Sequence, residues 1–415
     1  MQLDDFIEDF QRDEAAEKRR LAEEKSYEIT DYLDEVEREF EQAVSGDSMF
    51  GATAPEIFVG RSSYPNVSTG VLSPVTDGNA ADFATSGQWY QQGLGVGDVL
   101  QRRTGLLNST RSANVDVRDV WDGFVGVQRE VAIADHPVDV EVGLDSEPDI
   151  DLSLDDVGAP TGPRASARSA DLAENPHIPR PVKKTLEDDD WQAEGAMSYL
   201  YRRGFDVYDI NTILSAGALG RGQDRRLVPT RWSITAVDDT VGQFVRGGIR
   251  NAPAINETEV HYNEYMGNRY WVILTPGQWE FELVEMKAPE SVWNPAGEAY
   301  YLASAHEGYE GRTGYVEETA GAYYASRLGV LEHLKDRGRQ AKCLVLREVT
   351  DDYWAPVGVW QVREGVRNAF EGENGVSETF REAVTQVTGQ LPISMGALRR
   401  KSEMVAGLQA KLSDF

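Results

Sequence analysis

Apolar residues in this chain recur at helical spacing in some stretches and alternate with period two in others, and the two patterns come in runs. That arrangement constrains the fold most. Strict alternation of strand and helix marks a parallel sheet of βαβ units, whereas runs of each mark an α+β protein with a mixed sheet. Helical spacing is clear in Ile29, Leu33, Val36, Phe40 and Val44, and again in Tyr324, Leu328, Leu331 and Leu334 within Ala320 to Gln340. Helices are also expected over 98–103, 192–204, 207–219, 377–390 and 395–411. Strand patterns occupy YWVILTP (270–276), WEFELVEMK (279–287) and KCLVLREV (342–349). Alternation predicts further strands within 115–142, over RLVPTRWSITAVDD (226–239) and over VGVWQVREG (357–365).

The expected architecture is α+β: a mixed sheet core, an N-terminal amphipathic helix and C-terminal helices. Residues 1–50 form the N-terminal helical segment, with 17 acids against 6 bases. A first α/β part covers 51–180 and closes in an acidic, Pro/Gly-rich excursion over about 135–180, whose first 26 residues carry nine acids and no Lys or Arg. A second α/β part spans 181–394, and 395–415 is a C-terminal helix with a tail. No repeat of solenoid length occurs.

Composition excludes several classes. With 415 residues, 40% of them apolar, the chain builds a sizeable core. A single cysteine, Cys343, rules out an internal disulfide and any cysteine-based zinc or iron–sulfur centre. No uncharged run approaches the roughly 18 residues of a membrane span, and the acidic start is unlike a signal peptide. A cytoplasmic protein without membrane contact is expected. The 70 acids against 41 bases give a net charge of −29, and only nine of the bases are lysine. Acid spread through nearly every segment, with lysine scarce, fits a surface hydrated in concentrated salt better than a nucleic-acid mimic.

Few motifs carry chemistry. No Gly-Lys-Ser/Thr is present, so a P-loop is excluded, and GLGVGD (93–98) reads as a turn. The five histidines never pair at ligand spacing, so no metal is expected on them, and no cofactor is named by the residues. Three basic islands interrupt the acid: Arg102, Arg103, Arg111 and Arg118; Arg180, Lys183 and Lys184; Arg221, Arg225, Arg226 and Arg231. Arg180, Lys183, Lys184, Arg225, Arg226 and Arg231 are candidates for contact with phosphate, DNA or a nucleotide, and Arg231 beside Trp232 pairs a guanidinium with an aromatic. Pairing with neighbouring acids is the plainer alternative.

One strand is unusual. On one face of 279–287 lie Trp279, Phe281, Leu283, Glu285 and Lys287, so an apolar face runs into a carboxylate and a lysine. With Asp238 or Asp239 from a preceding strand, Glu285 and Lys287 would make a magnesium-dependent nuclease or phosphodiesterase site. A strand-end ion pair explains the same residues. Whether the chain is an enzyme stays open.

The C-terminus reads Gln409-Ala-Lys-Leu412-Ser-Asp-Phe415. Gln, an aliphatic and an aromatic at i, i+3 and i+6 share one side of a 3₁₀ turn. The pattern resembles the peptides by which repair proteins plug into the sliding clamp PCNA; Val405, Leu408 and Leu412 continuing a helix onto the body is the alternative. GRSSYPNVSTGVLSP, HIPRPVKKTLEDDD, LVPTRWSITAVDD, YYASRLGVLEHL and YWAPVGVWQVREGVRNAF, together with this end, resemble the archaeal Nre family of DNA-repair proteins. The resemblance implies a role in surviving DNA damage through PCNA, with Gln409, Leu412 and Phe415 as the clamp motif. Some members begin with a four-cysteine zinc finger, which this sequence lacks.

Overall fold

The computed structural model describes residues 48–75, 78–146, 148–149, 157–295 and 297–408. The expected N-terminal helix and the tail residues Gln409, Leu412 and Phe415 lie outside them, save that Ser48 to Phe50 open the first strand. The described residues fall into two compact units, one drawn from 48–241 with 356–360, the other from 242–355 with 361–408.

The first unit is built on β1 (Ser48–Thr53), β2 (Ile57–Val59), β3 (Asn66–Pro74), β4 (Leu106–Asn114), β5 (Val138–Leu144) and β6 (Arg164–Leu172), ordered β1-β5-β6-β4-β3-β2. Only β4 and β6 run parallel. The stretch read as an excursion thus supplies two strands: Ala165 and Ala167 alternate with exposed residues on β6, and Ala170 is buried beyond a shift in its pairing with β5. Helices α1 (Gln88–Gln91), α2 (Val96–Thr104), α3 (Gly123–Ile133), α4 (Arg180–Glu187), α5 (Ala193–Arg202) and α6 (Val207–Ser215) accompany the sheet. The chain passes to the second unit within α7 (Thr230–Ile249).

The second unit holds β7 (Thr258–Tyr265), β8 (Asn268–Thr275), β9 (Glu280–Lys287), β10 (Tyr301–Glu307), β11 (Lys342–Val349) and β12 (Gly375–Ser377), ordered β10-β9-β11-β8-β7-β12. Only β9 and β11 run parallel. Both faces are covered. Trp271, Ile273, Val284, Met286, Leu344 and Leu346 meet the C-terminal helices α10 (Phe380–Thr388), α11 (Met395–Lys401) and α12 (Glu403–Ala406) in one cluster. On the opposite face Phe281 packs edge-on against Tyr323 of α8 (Ala320–Arg337), and the Tyr270 hydroxyl donates to Gln361 of α9 (Trp360–Ala369). A strand covered on both faces loses the alternation of a one-sided sheet, which is why YWVILT in β8 and CLVL in β11 read as near-continuous apolar runs.

The α+β class with mixed sheets holds, and three expected strands are corrected. Residues 230–249 are helical: Ser233, Val237, Val241, Val245 and Ile249 are buried at every fourth position, a stripe that the 14-residue window 226–239 cuts short. Residues 360–369 are helical because Trp360, Gln361, Val362, Arg363, Glu364, Val366 and Ala369 are all buried, which hides the helical period. Within 115–142 only β5 is a strand, and α3 occupies its middle.

Candidate functional site

Glu285 lies on β9 of the second sheet, opposite Ala303 on β10 and Arg347 on β11. Its carboxylate accepts from the Arg347 guanidinium, both side chains being almost fully buried, and the other guanidinium nitrogens of Arg347 donate to Asn268 Oδ1 at 2.7 and 3.0 Å. Lys287 Nζ lies 4.0 Å from Glu285. Neither cross-strand neighbour of Glu285 is an aspartate. Asp238, fully buried, and Asp239, half-buried, belong to α7 and the first unit, not to a neighbouring strand. The structure therefore gives Glu285 an arginine partner within its own sheet.

The opposite face of the same strand carries a carboxylate that the sequence reading missed. Glu282 is buried and accepts from Ser402 Oγ (2.6 Å), Glu403 N (2.7 Å) and Met404 N (3.0 Å), so it caps the start of α12. Burial pushes its carboxyl above the ordinary range, while those hydrogen bonds hold it down. Beside it, His306 bridges Glu280 (3.1 Å) and Glu403 (3.2 Å). The Glu280 hydrogen bond, against burial and with help from Glu403, raises the His306 value. Hydrogen bonds from His306 and Lys342 lower Glu280 to about 2, against burial. Only an EFE triplet signals this arrangement in sequence.

The basic islands divide into structural and surface groups. Arg103 is buried and spends itself on Glu56 (3.0 Å) and the carbonyls of Pro160 and Phe83. Arg225 is buried too, donating to the carbonyls of Gly220, Thr185 and Leu186. Arg226 and Arg118 share Asp116, and Arg111 donates to the Arg168 carbonyl. Arg231 is half-buried at the start of α7, where exposed Trp232 contacts Tyr64 with ring centroids 5.5 Å apart. In α4, Arg180, Lys183 and Lys184 are exposed, and Lys184 Nζ lies over Trp191 and Tyr199 at 5.6 and 5.2 Å. Of the phosphate candidates, these three have the most open surroundings.

Folding also brings histidines together that sequence spacing separates. Glu259 and His261, two apart on β7 and so on one face, meet His333 of α8. Arg337, one turn beyond His333, clasps both Glu259 oxygens at 2.6 and 2.8 Å and lies 3.4 Å from His333 Nε2. Burial, with His261 and Arg337 adding, lowers His333 to about 4. His333 also stacks on Phe370 at 3.8 Å. The second group is exposed: Asp135 and His136, just after α3, with His177 before α4. His136 Nδ1 lies 2.6 Å from one Asp135 oxygen and His177 Nδ1 lies 2.8 Å from the other. Slight burial opposes, but the His177 and His136 hydrogen bonds win and hold the Asp135 carboxyl below its ordinary value.

Comparison with known sequences then places the chain. Residues 21–294 match the pattern described as archaeal Nre, N-terminal, and residues 307–415 match archaeal Nre, C-terminal. The chain belongs to the archaeal Nre family. This Nre chain is 66% identical to the DNA repair protein NreA of Haloferax volcanii across the full length of both. It is 40% identical to the DNA repair protein NreA of Archaeoglobus fulgidus, covering 80% of this chain and 82% of the relative. The DNA repair protein NreB of the same organism is 35% identical, over 88% of this chain and 92% of its own. No solved structure matches this Nre chain. No helix among its described residues is long and apolar enough to cross a membrane.

Proposed function

We propose that this chain is a DNA-damage repair factor, acting in the cytoplasm and delivered to the sliding clamp PCNA by Gln409, Leu412 and Phe415. The carrying observation is the QxxLxxF spacing of that tail, with Gln fitting a small polar pocket and Leu and Phe fitting an apolar one. The repair role is supported by relatives named DNA repair proteins. The tail also leaves a firm base: α12 ends at Ala406 with Gly407 as its C-cap, Met404 and Val405 are buried, and Leu408 packs on the core cluster one residue before Gln409. A peptide rooted in this way passes clamp binding on to the body, raising its local concentration at DNA without tight DNA affinity of its own. The exposed Arg180, Lys183 and Lys184 are the best candidates for phosphate contact once the clamp has brought DNA near.

Calorimetric titration of the matching PCNA at high salt tests this, with the intact chain and a chain lacking its last seven residues. Binding that disappears on truncation supports the tail as the address. Binding that survives truncation, or no binding by either chain, overturns it.

A further inference from the structure

We propose that Asp135, His136 and His177 form a surface site for one divalent transition-metal ion of the zinc–cobalt type, held by two imidazole nitrogens and a carboxylate oxygen. The three donor atoms lie within 4.8 Å of one another. Two imidazoles and one carboxylate are a donor set that such ions favour, and they leave open positions for water. Metal–nitrogen and metal–oxygen bonds of about 2.0–2.2 Å at angles between octahedral and tetrahedral put neighbouring donors roughly 3.0–3.5 Å apart. The two imidazole nitrogens meet different oxygens of Asp135, at 2.6 and 2.8 Å, so an ion enters by replacing both hydrogen bonds while the carboxylate turns to offer it one oxygen.

The backbone is prepared for this. Asp135 N donates to the His177 carbonyl at 3.2 Å, tying the two ligand loops together. His136 precedes Pro137, and His177 sits between Pro176 and Ile178-Pro179, so prolines restrict the chain at both ligands before any ion arrives. Ordering costs are thereby lowered.

Charge separates this group from the buried one. At Glu259, His261 and His333 the cation position is filled by the Arg337 guanidinium. Asp135, by contrast, has only the two imidazoles as partners among the described residues, with no lysine or arginine paired to it. Both histidines present Nδ1 to the carboxylate, so coordination uses the neutral Nε2–H tautomer and asks only for proton relocation within each ring. The rings lie nearly parallel, 21° apart with centroids 6.1 Å apart.

The test is titration of the full chain with Co²⁺, followed by visible absorption in a concentrated potassium nitrate buffer, beside His136→Gln, His177→Gln and Asp135→Asn. All three side chains are exposed, so the variants keep the fold, which circular dichroism checks. The expected result is one equivalent bound, with affinity falling by at least about tenfold in each variant. Zn²⁺ should displace the cobalt band. No cobalt band in the wild-type chain, or an unchanged titration in His136→Gln and His177→Gln, would overturn the assignment.

Discussion

Replacing Glu285 by Gln keeps the side chain's volume and an acceptor oxygen but removes the charge that faces Arg347. The arginine keeps its bonds to Asn268, yet its guanidinium is then buried without its carboxylate. Breaking one side of a buried pair costs about 3–5 kcal/mol, against near-neutrality when both members are replaced by apolar residues of similar size. Lys287, 4.0 Å away, adds to the stranded positive charge, so about 3 kcal/mol is the least expected for Glu285→Gln, roughly a hundredfold in the folding equilibrium. The double variant Glu285→Leu with Arg347→Met should recover part of that loss, stopping about 1–3 kcal/mol short of the original because buried Asn268 Oδ1 loses its donors. Urea unfolding at high salt, with and without Mg²⁺, measures both. A single variant within about 0.5 kcal/mol of wild type, or a double variant as damaged as the single, would refute the pairing argument. A loss that appears only with Mg²⁺ would return Glu285 to metal chemistry.

Two further outcomes follow from the same packing. His333, at about 4 in the folded chain against an ordinary 6.5, stabilises fully above pH 6.5 and loses its contribution as pH falls toward 4. His333→Phe should therefore flatten the acid limb of stability by roughly 2 kcal/mol in urea unfolding at pH 7 and 4.5, and identical slopes would sink the assignment. A Cβ on Gly365 would lie 2.4 Å from Tyr270 Cε2, and that ring is fully buried with its hydroxyl bonded to Gln361. Gly365→Ala should cost about 1–3 kcal/mol despite alanine's better helix propensity, and a rise in melting temperature would contradict the contact.

Legibility in the sequence followed burial. Strands β8, β9 and β11 and helix α8 were readable because their apolar residues are dense and bounded by turn residues. Helices α3, α7 and α9 were not. Val115, Val117, Val138, Val140 and Val142 advertise alternation around α3, and α9 is buried on so many sides that Val357, Val359, Trp360 and Val362 read as a strand. Site residues depended on pairing that no local pattern encodes. Glu285 announced itself as a carboxylate on an apolar face, but its partner is 62 residues away on a parallel strand whose register is fixed by tertiary packing. Asp135 and His177, 42 residues apart, meet only because the loops after α3 and before α4 lie side by side.

The carboxylates of β9 alternate because strand side chains do, and the alternation assigns them separate work. Glu285 points into the layer shared with Tyr270 and Arg347, where its charge is consumed internally. Glu282 points the other way and gathers a hydroxyl and two backbone N–H groups from the start of α12. Strand β9 is hydrogen-bonded on both sides, by β10 and β11, so α12 is fastened to an interior strand of the sheet. His306 ties Glu403 of α12 to Glu280 at the end of the same strand, with Ser304 Oγ donating to the Lys401 carbonyl beside it at 2.9 Å. The proposed clamp peptide begins three residues beyond Ala406. Force on that peptide therefore meets the apolar contacts of Leu408, Val405 and Met404 before it meets the charge-assisted cap at the start of α12. On this geometry Glu280 and Glu282 make one face of β9 the mounting for the C-terminal helix.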